Sequence, residues 1–122
     1  MDRFGPVALE MLELYAKASG DKNPIHLNEK AAKDAGLEGI IAHGMLIASW
    51  MSESLARAGY HVLDMKFRFR AMTFLDDVVI VEHAQDGDKI RVHAITESGR
   101  VVCTGTAWVT HALEGRPKSE AG

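Results

Sequence analysis

Residues Ser19, Gly20, Asp21, Lys22, Asn23, Pro24, Ile25 and His26 put a carboxylate and an imidazole five positions apart on a segment that no regular helix or strand runs through. Pro24 has no amide proton and disfavours helical geometry at Asn23, while Gly20 tolerates the left-handed geometry that a helix end often needs. The result is a bent loop that aims Asp21 and His26 at one point. A carboxylate and an imidazole so aimed are equipped for general acid–base chemistry, in which one group takes a proton as the other supplies one. Asp and Asn in a loop with Gly and Pro also serve as turn and cap residues. From these eight residues alone, both readings stand.

The chain that must position this loop has 122 residues, enough for one domain that buries about two-thirds of its unfolded surface. Its residues are 47% hydrophobic and 25% charged, as in an ordinary globular protein. A single cysteine, Cys103, excludes an internal disulfide and fits a reducing, cytoplasmic compartment; Val101, Val102 and Gly105 around it predict a buried strand thiol. The N-terminus lacks the apolar run of a signal peptide. The richest apolar stretch, 40–56, is broken by His43, Ser49, Ser52 and Glu53, and a membrane span needs about 20 mostly apolar residues. A net charge of -3 argues against a nucleic-acid footprint. Lys66, Arg68 and Arg70 alternate with Met65, Phe67, Phe69 and Ala71, which reads as the solvated row of a strand whose other row is core.

Val7, Met11, Leu14, Tyr15 and Ala18 recur at helical spacing opposite Glu10, Glu13 and Lys17, predicting a helix over about 6–19 with Pro6 in its first turn and Gly20 as its stop. Asn28 is positioned to cap a short helix over 29–35 that ends at Gly36. The acid–base loop then bridges two helices. From Gly44 to Ala58 the chain is apolar nearly all round, the pattern of a helix buried on most faces. Strands at about 62–72, 78–85, 89–96 and 101–111, separated by turns at Asp76-Asp77, Asp86-Gly87-Asp88 and Ser98-Gly99, supply the wrapping. In the first strand Leu63, Met65, Phe67 and Phe69 face the core; in the third Ile90, Val92 and Ala94 do so. The architecture expected is α+β, a curved antiparallel sheet around a long central helix, in one domain over 1–113 with a disordered tail over 114–122.

Tyr15 to His26, followed by Ile41, Ala42, His43, Gly44 and Met45, resembles the MaoC-like family of hot-dog-fold hydratases and dehydratases, and the likeness covers most of the chain. Its motif is a D-x-N-P-x-H loop, then a Gly-Met step opening the buried helix, then a strand such as 67–71 and an Asp-rich turn near Asp76 and Asp77. The resemblance implies reversible hydration of trans-2-enoyl thioesters to (3R)-hydroxyacyl thioesters, with no cofactor beyond the substrate's own carrier, coenzyme A or acyl carrier protein. It implies Asp21 and His26 as the catalytic pair. The Gly44 N–H, at the start of the central helix, is the natural donor to the thioester oxygen. Asn23 either positions the pair or only stabilises the turn. Ser52, eight residues after Gly44, either touches Asp21, lines the acyl pocket or bonds its own helix. Asn23, Ser52 and His43 are grouped as the substrate-binding residues, with His43 in a structural role rather than a catalytic one. No metal site is expected, since no two histidines stand four apart and there is no second cysteine.

One departure from the family is the short lead before the first helix, 1–5, where relatives carry a longer strand; the sheet is expected to lose an edge strand there. Hot-dog domains resembling this one pair their sheets, so a homodimer or a heterodimer with a related subunit is expected. A hot-dog thioesterase and a non-catalytic acyl-binding subunit are the rival readings.

Overall fold

The computed structural model describes residues 1–111; the tail expected over 114–122 lies outside them. Five strands and three helices follow one another as β1 (Asp2–Phe4), α1 (Leu9–Ser19), a 3-10 turn (Pro24–His26), α2 (Glu29–Asp34), α3 (Gly44–Arg57), β2 (Tyr60–Phe69), β3 (Val79–Asp86), β4 (Lys89–Thr96) and β5 (Val101–His111). The strands form one antiparallel sheet in the order β1-β3-β4-β5-β2. Its inner face wraps α3, as the apolar character of 44–58 requires. Met51 and Leu55 of α3 are fully buried against Val79, Val81, Ile90, Val92, Val102 and Cys103. Each such side chain contributes about 1.5–3 kcal/mol on burial. Helix and sheet meet closely at Gly105, where a Cβ would come within 3.0 Å of the Lys66 carbonyl and 3.4 Å of Met51 Cε. Burial also pushes the Cys103 thiol up from its ordinary pKa.

Several expectations are corrected. The lead does form an edge strand: β1 is only three residues long, yet it pairs with β3, and Phe4 is buried. Asp2 accepts a 2.5 Å hydrogen bond from the fully buried Ser54 of α3, which ties this short strand to the helix. Pro6 lies outside α1. The Val7 N–H donates to the Asp77 carbonyl and the Asp76 N–H to the Val7 carbonyl, so the backbone pairs with the 76–77 turn before a helix begins. Gly5 makes that approach possible, with φ +98 and a would-be Cβ 2.8 Å from the Asp77 carbonyl oxygen. The buried face of α1 is centred on Leu12 and Ala16, while Leu14 and Ala18 are exposed.

In β2 the register shifts between Val62 and Asp64, and this bulge turns Leu63 out to solvent instead of into the core. A single extra residue reverses the alternation that the sequence pattern assumes. Phe69, at the strand's end, is half exposed. Along its other side β2 has no strand partner among the described residues. Among those residues no helix is long and apolar enough to cross a membrane.

Candidate active site

The loop over 19–26 is built by local hydrogen bonds that its residue types dictate. Gly20 ends α1 with φ 83, its N–H bonded to the Ala16 carbonyl. The Asp21 N–H donates to Ser19 Oγ, and the Asn23 N–H donates to Asp21 Oδ1 at 3.3 Å. Asn23 Oδ1 in turn accepts the Ile25 N–H, capping the 3-10 turn that carries His26. The Asn23 side chain thus stabilises the turn, while only its backbone N–H reaches the Asp21 carboxylate.

His26 is buried, and its Nδ1 lies 2.8 Å from the Ile41 carbonyl oxygen. A carbonyl only accepts, so in the neutral ring Nδ1 carries the proton and Nε2 presents a lone pair. That lone pair faces Asp21 Oδ2 across 3.8 Å. The gap exceeds a direct hydrogen bond and leaves both groups available to a third. Asp21 is more than half exposed, so the pair sits at the surface end of a buried imidazole.

His43 is almost fully buried and donates from Nε2 to the Asp21 main-chain oxygen at 2.9 Å. Its ring stacks on His26 with centroids 3.9 Å apart and planes at 24°, and Tyr15 packs on it at 4.8 Å. The sequence places His43 with the substrate-binding residues; the structure gives it contacts to Asp21, His26 and Tyr15, and it is not among the residues that line the cavity shared by His26 and Gly44. Ile41 and Tyr15 were missed: a backbone carbonyl that orients an imidazole leaves no mark in residue type, and Tyr15 read as ordinary helix stripe.

Asp21, His26 and His43 offer ligand-type atoms that all lie within 4.8 Å of one another. Their geometry does not fit a metal. Rings stacked 3.9 Å apart with planes at 24° keep their in-plane lone pairs in separate, nearly parallel planes, whereas an ion needs both to reach one point at about 2.0–2.1 Å. His26 Nδ1 and His43 Nε2 are already bonded to carbonyls.

Gly44 opens α3, and its N–H bonds no acceptor among the described residues. It is one of the orphan amides of a helix start, where the helix dipole favours negative charge. An added Cβ there would sit 3.1 Å from Phe69 Cε1, so the ring would have to give way by a few tenths of an ångström. His26, Gly44, Ile47, Phe69, Met72 and Val102 line one cavity of about 110 Å³. The structure thus brings His26 and Gly44 to a single pocket. Ser52 is placed apart from the pair, its hydroxyl 3.5 Å from Met65 Sδ, bonded neither to Asp21 nor to its own helix. In α3 the serine that bonds its own helix is Ser49, to the Leu46 carbonyl.

With this geometry in hand, similarity to known proteins is specific. The chain is 32% identical over 118 residues to the (R)-specific enoyl-CoA hydratase of Aeromonas caviae, covering 88% of this chain and 86% of that protein. It is 29% identical over 73 residues to the mitochondrial 3-hydroxyacyl-[acyl-carrier-protein] dehydratase of Arabidopsis thaliana, covering 58% of this chain. It spans only 44% of that plant protein, and 5% of a fatty acid synthase beta subunit of Cochliobolus carbonum that it also matches. The solved structure of the (R)-hydratase from A. caviae superposes with a TM-score of 0.80 at 28% identity, over 90% of this chain and 92% of that one. The MaoC like domain model matches residues 5–107. A helix wrapped by five antiparallel strands, a D-x-N-P-x-H loop and this match together place the chain in the MaoC like domain family.

Proposed function

We propose that this protein reversibly adds water to trans-2-enoyl thioesters, giving (3R)-hydroxyacyl thioesters, with Asp21 and His26 as the acid–base pair. The observation that carries the reading is the free Nε2 lone pair of His26, 3.8 Å from Asp21 Oδ2, beside a pocket that also begins at the Gly44 amide. His26 Nε2 takes a proton from water as the water oxygen bonds to the β-carbon. Asp21 orients that water and steadies the imidazolium. The electron pair of the double bond moves to the thioester oxygen, where the Gly44 N–H receives it as negative charge. It returns when the α-carbon takes the proton that His26 Nε2 accepted from the water, so H and OH are added, the imidazole is neutral again and nothing else is consumed.

The acyl group enters the cavity lined by Ile47 and Val102; the carrier stays outside. Either coenzyme A or acyl carrier protein serves this chemistry, as the names of the two relatives indicate for those proteins. The open side of β2 is the edge through which a second copy or a related subunit would pair.

Loss of enoyl-thioester absorbance with crotonyl-CoA, followed beside a free-thiol assay, tests the proposal. Absorbance loss without thiol release supports hydration. Thiol release would assign a thioesterase instead, and neither change would assign a non-catalytic acyl-binding subunit.

A further inference from the structure

On the outer face of the sheet, opposite α3, Lys66, Arg68, Arg70, Arg91 and His93 line a groove of about 450 Å³ together with Thr104 and Thr106. The strand register builds it. Lys66 lies across from Thr106, and Thr106 from Arg91; Arg68 lies across from Thr104, and Thr104 from His93. Two neighbouring rows therefore each run base, hydroxyl, base over three strands about 4.8 Å apart. Among the described residues no carboxylate lines the groove. Of its cations only Arg91 forms an ion pair among the described residues, with Asp86; Lys66 rests over the Trp108 ring. Arg68 and Arg70 are exposed and have no acidic partner among those residues. An acidic protein that keeps such a cluster unneutralised holds a local attraction for anions against its overall charge.

We propose that this groove binds the 3′-phosphoadenosine diphosphate end of a coenzyme A thioester, an inference that rests on the hydratase reading for its substrate. The volume is that of a small-molecule site, and arginine forks flanked by hydroxyls match several phosphates held close together. The surface of a folded carrier protein calls for a broader, flatter contact. The groove also lies next to the chemistry. Arg68 and Arg70 flank Phe69, which lines the catalytic pocket on the other face, and the Arg70 N–H donates to the carbonyl of Val102, another pocket residue. Alternate residues of one strand thus serve phosphate on one face and thioester on the other. The pantetheine arm passes around the end of β2, where Phe69 and Met72 are about half exposed and give it an apolar rim.

The test compares wild type with Arg68→Gln/Arg70→Gln, and with a charge-matched control on α2, Lys30→Gln/Lys33→Gln. Calorimetric titration with adenosine 3′,5′-bisphosphate reads the groove directly, without turnover. Wild type and control should bind it, more weakly as salt rises, and the arginine variant at least tenfold more weakly. For crotonyl-CoA the arginine variant should show KM raised tenfold or more at near-constant kcat, the mark of lost uniform binding. Its kcat/KM for crotonyl-N-acetylcysteamine, which carries no phosphate, should match wild type. Equal bisphosphate affinity in wild type and arginine variant overturns the proposal. So does a wild type that ignores the bisphosphate but binds an acyl carrier protein through Arg68 and Arg70. If wild type hydrates neither thioester, the hydratase reading fails, and the bisphosphate titration still decides the groove.

Discussion

His26 and His43 stack ring on ring at 3.9 Å, and each is turned by a different main-chain oxygen, Ile41 for His26 and Asp21 for His43. The stack joins the loop over 19–26 to the residue that precedes α3. His43 thereby fixes the backbone of Asp21 and one face of His26 at once. This contact ties Asp21 and His26 to the start of α3 at Gly44.

Asp21→Asn and His26→Ala should each lower kcat for crotonyl-CoA by about two to four powers of ten, the range of a general acid or base. Circular dichroism should show the fold intact, since Asp21 is exposed and the loop is held mainly by Asn23, Pro24 and Gly20. Near-wild-type turnover in either variant would remove that residue from the mechanism.

His43→Phe keeps a ring between Tyr15 and His26 but removes the donor to the Asp21 carbonyl. The lost hydrogen bond is worth about 1 kcal/mol, measurable by urea unfolding. Turnover should fall about tenfold, since a misplacement of about 1 Å can cost roughly 100-fold and the retained ring stack limits the shift, with less effect on KM. Unchanged kcat would show that the stack alone positions the pair.

Gly44→Ala brings a methyl group against Phe69, whose ring is half exposed and free to swing aside. Stability should change by less than about 1 kcal/mol, since Ala favours a helix start no less than Gly does. Activity should nonetheless fall by about 10- to 100-fold, because the displaced ring and added methyl crowd the pocket at the oxyanion amide. Combining it with Phe69→Ala should recover part of the loss. A double variant no better than Gly44→Ala would show that the methyl blocks the amide itself.

The hydrogen bond from Ser54, with Arg57 beside it, holds the Asp2 carboxyl below its ordinary pKa. That stabilisation is present above the ordinary carboxylate value of about 3.9 and is lost as pH falls through the lower folded value. Ser54→Ala should cost about 1 kcal/mol at neutral pH. Below about pH 4 the difference between variant and wild type should shrink, as acid protonates Asp2. A gap constant from pH 7 to pH 3 in denaturant titrations would separate the effect from the Asp2 charge.

In solution the protein should be a dimer paired through the open side of β2, with Leu63 near the seam. Light scattering at low micromolar concentration reads this directly. Leu63→Lys, which places charge beside a strand edge, should shift the mass toward monomer. An active monomer in the wild type would refute it.

Most of the fold was legible in residue order. The apolar character of 44–58, the alternation of Ile90, Val92 and Ala94, and the Gly, Pro and Asn signals around 20–28 are local properties, and each element they imply is present within a residue or two. The bend of the loop over 19–26 was legible for the same reason: Gly20, Asn23 and Pro24 fix it through bonds that span only a few residues. What the sequence could not decide depends on groups distant in the chain. The bulge that turns Leu63 outward is set by pairing with β5, over forty residues on. Pro6 leaves α1 because Val7 finds the 76–77 turn, and Ser52 meets Met65 because β2 packs along α3. The tautomer of His26 rests on the Ile41 carbonyl, and the space at Gly44 is filled by Phe69. Local bonding is encoded in neighbouring residue types, but register, orientation and free space follow only when the sheet has closed around the helix.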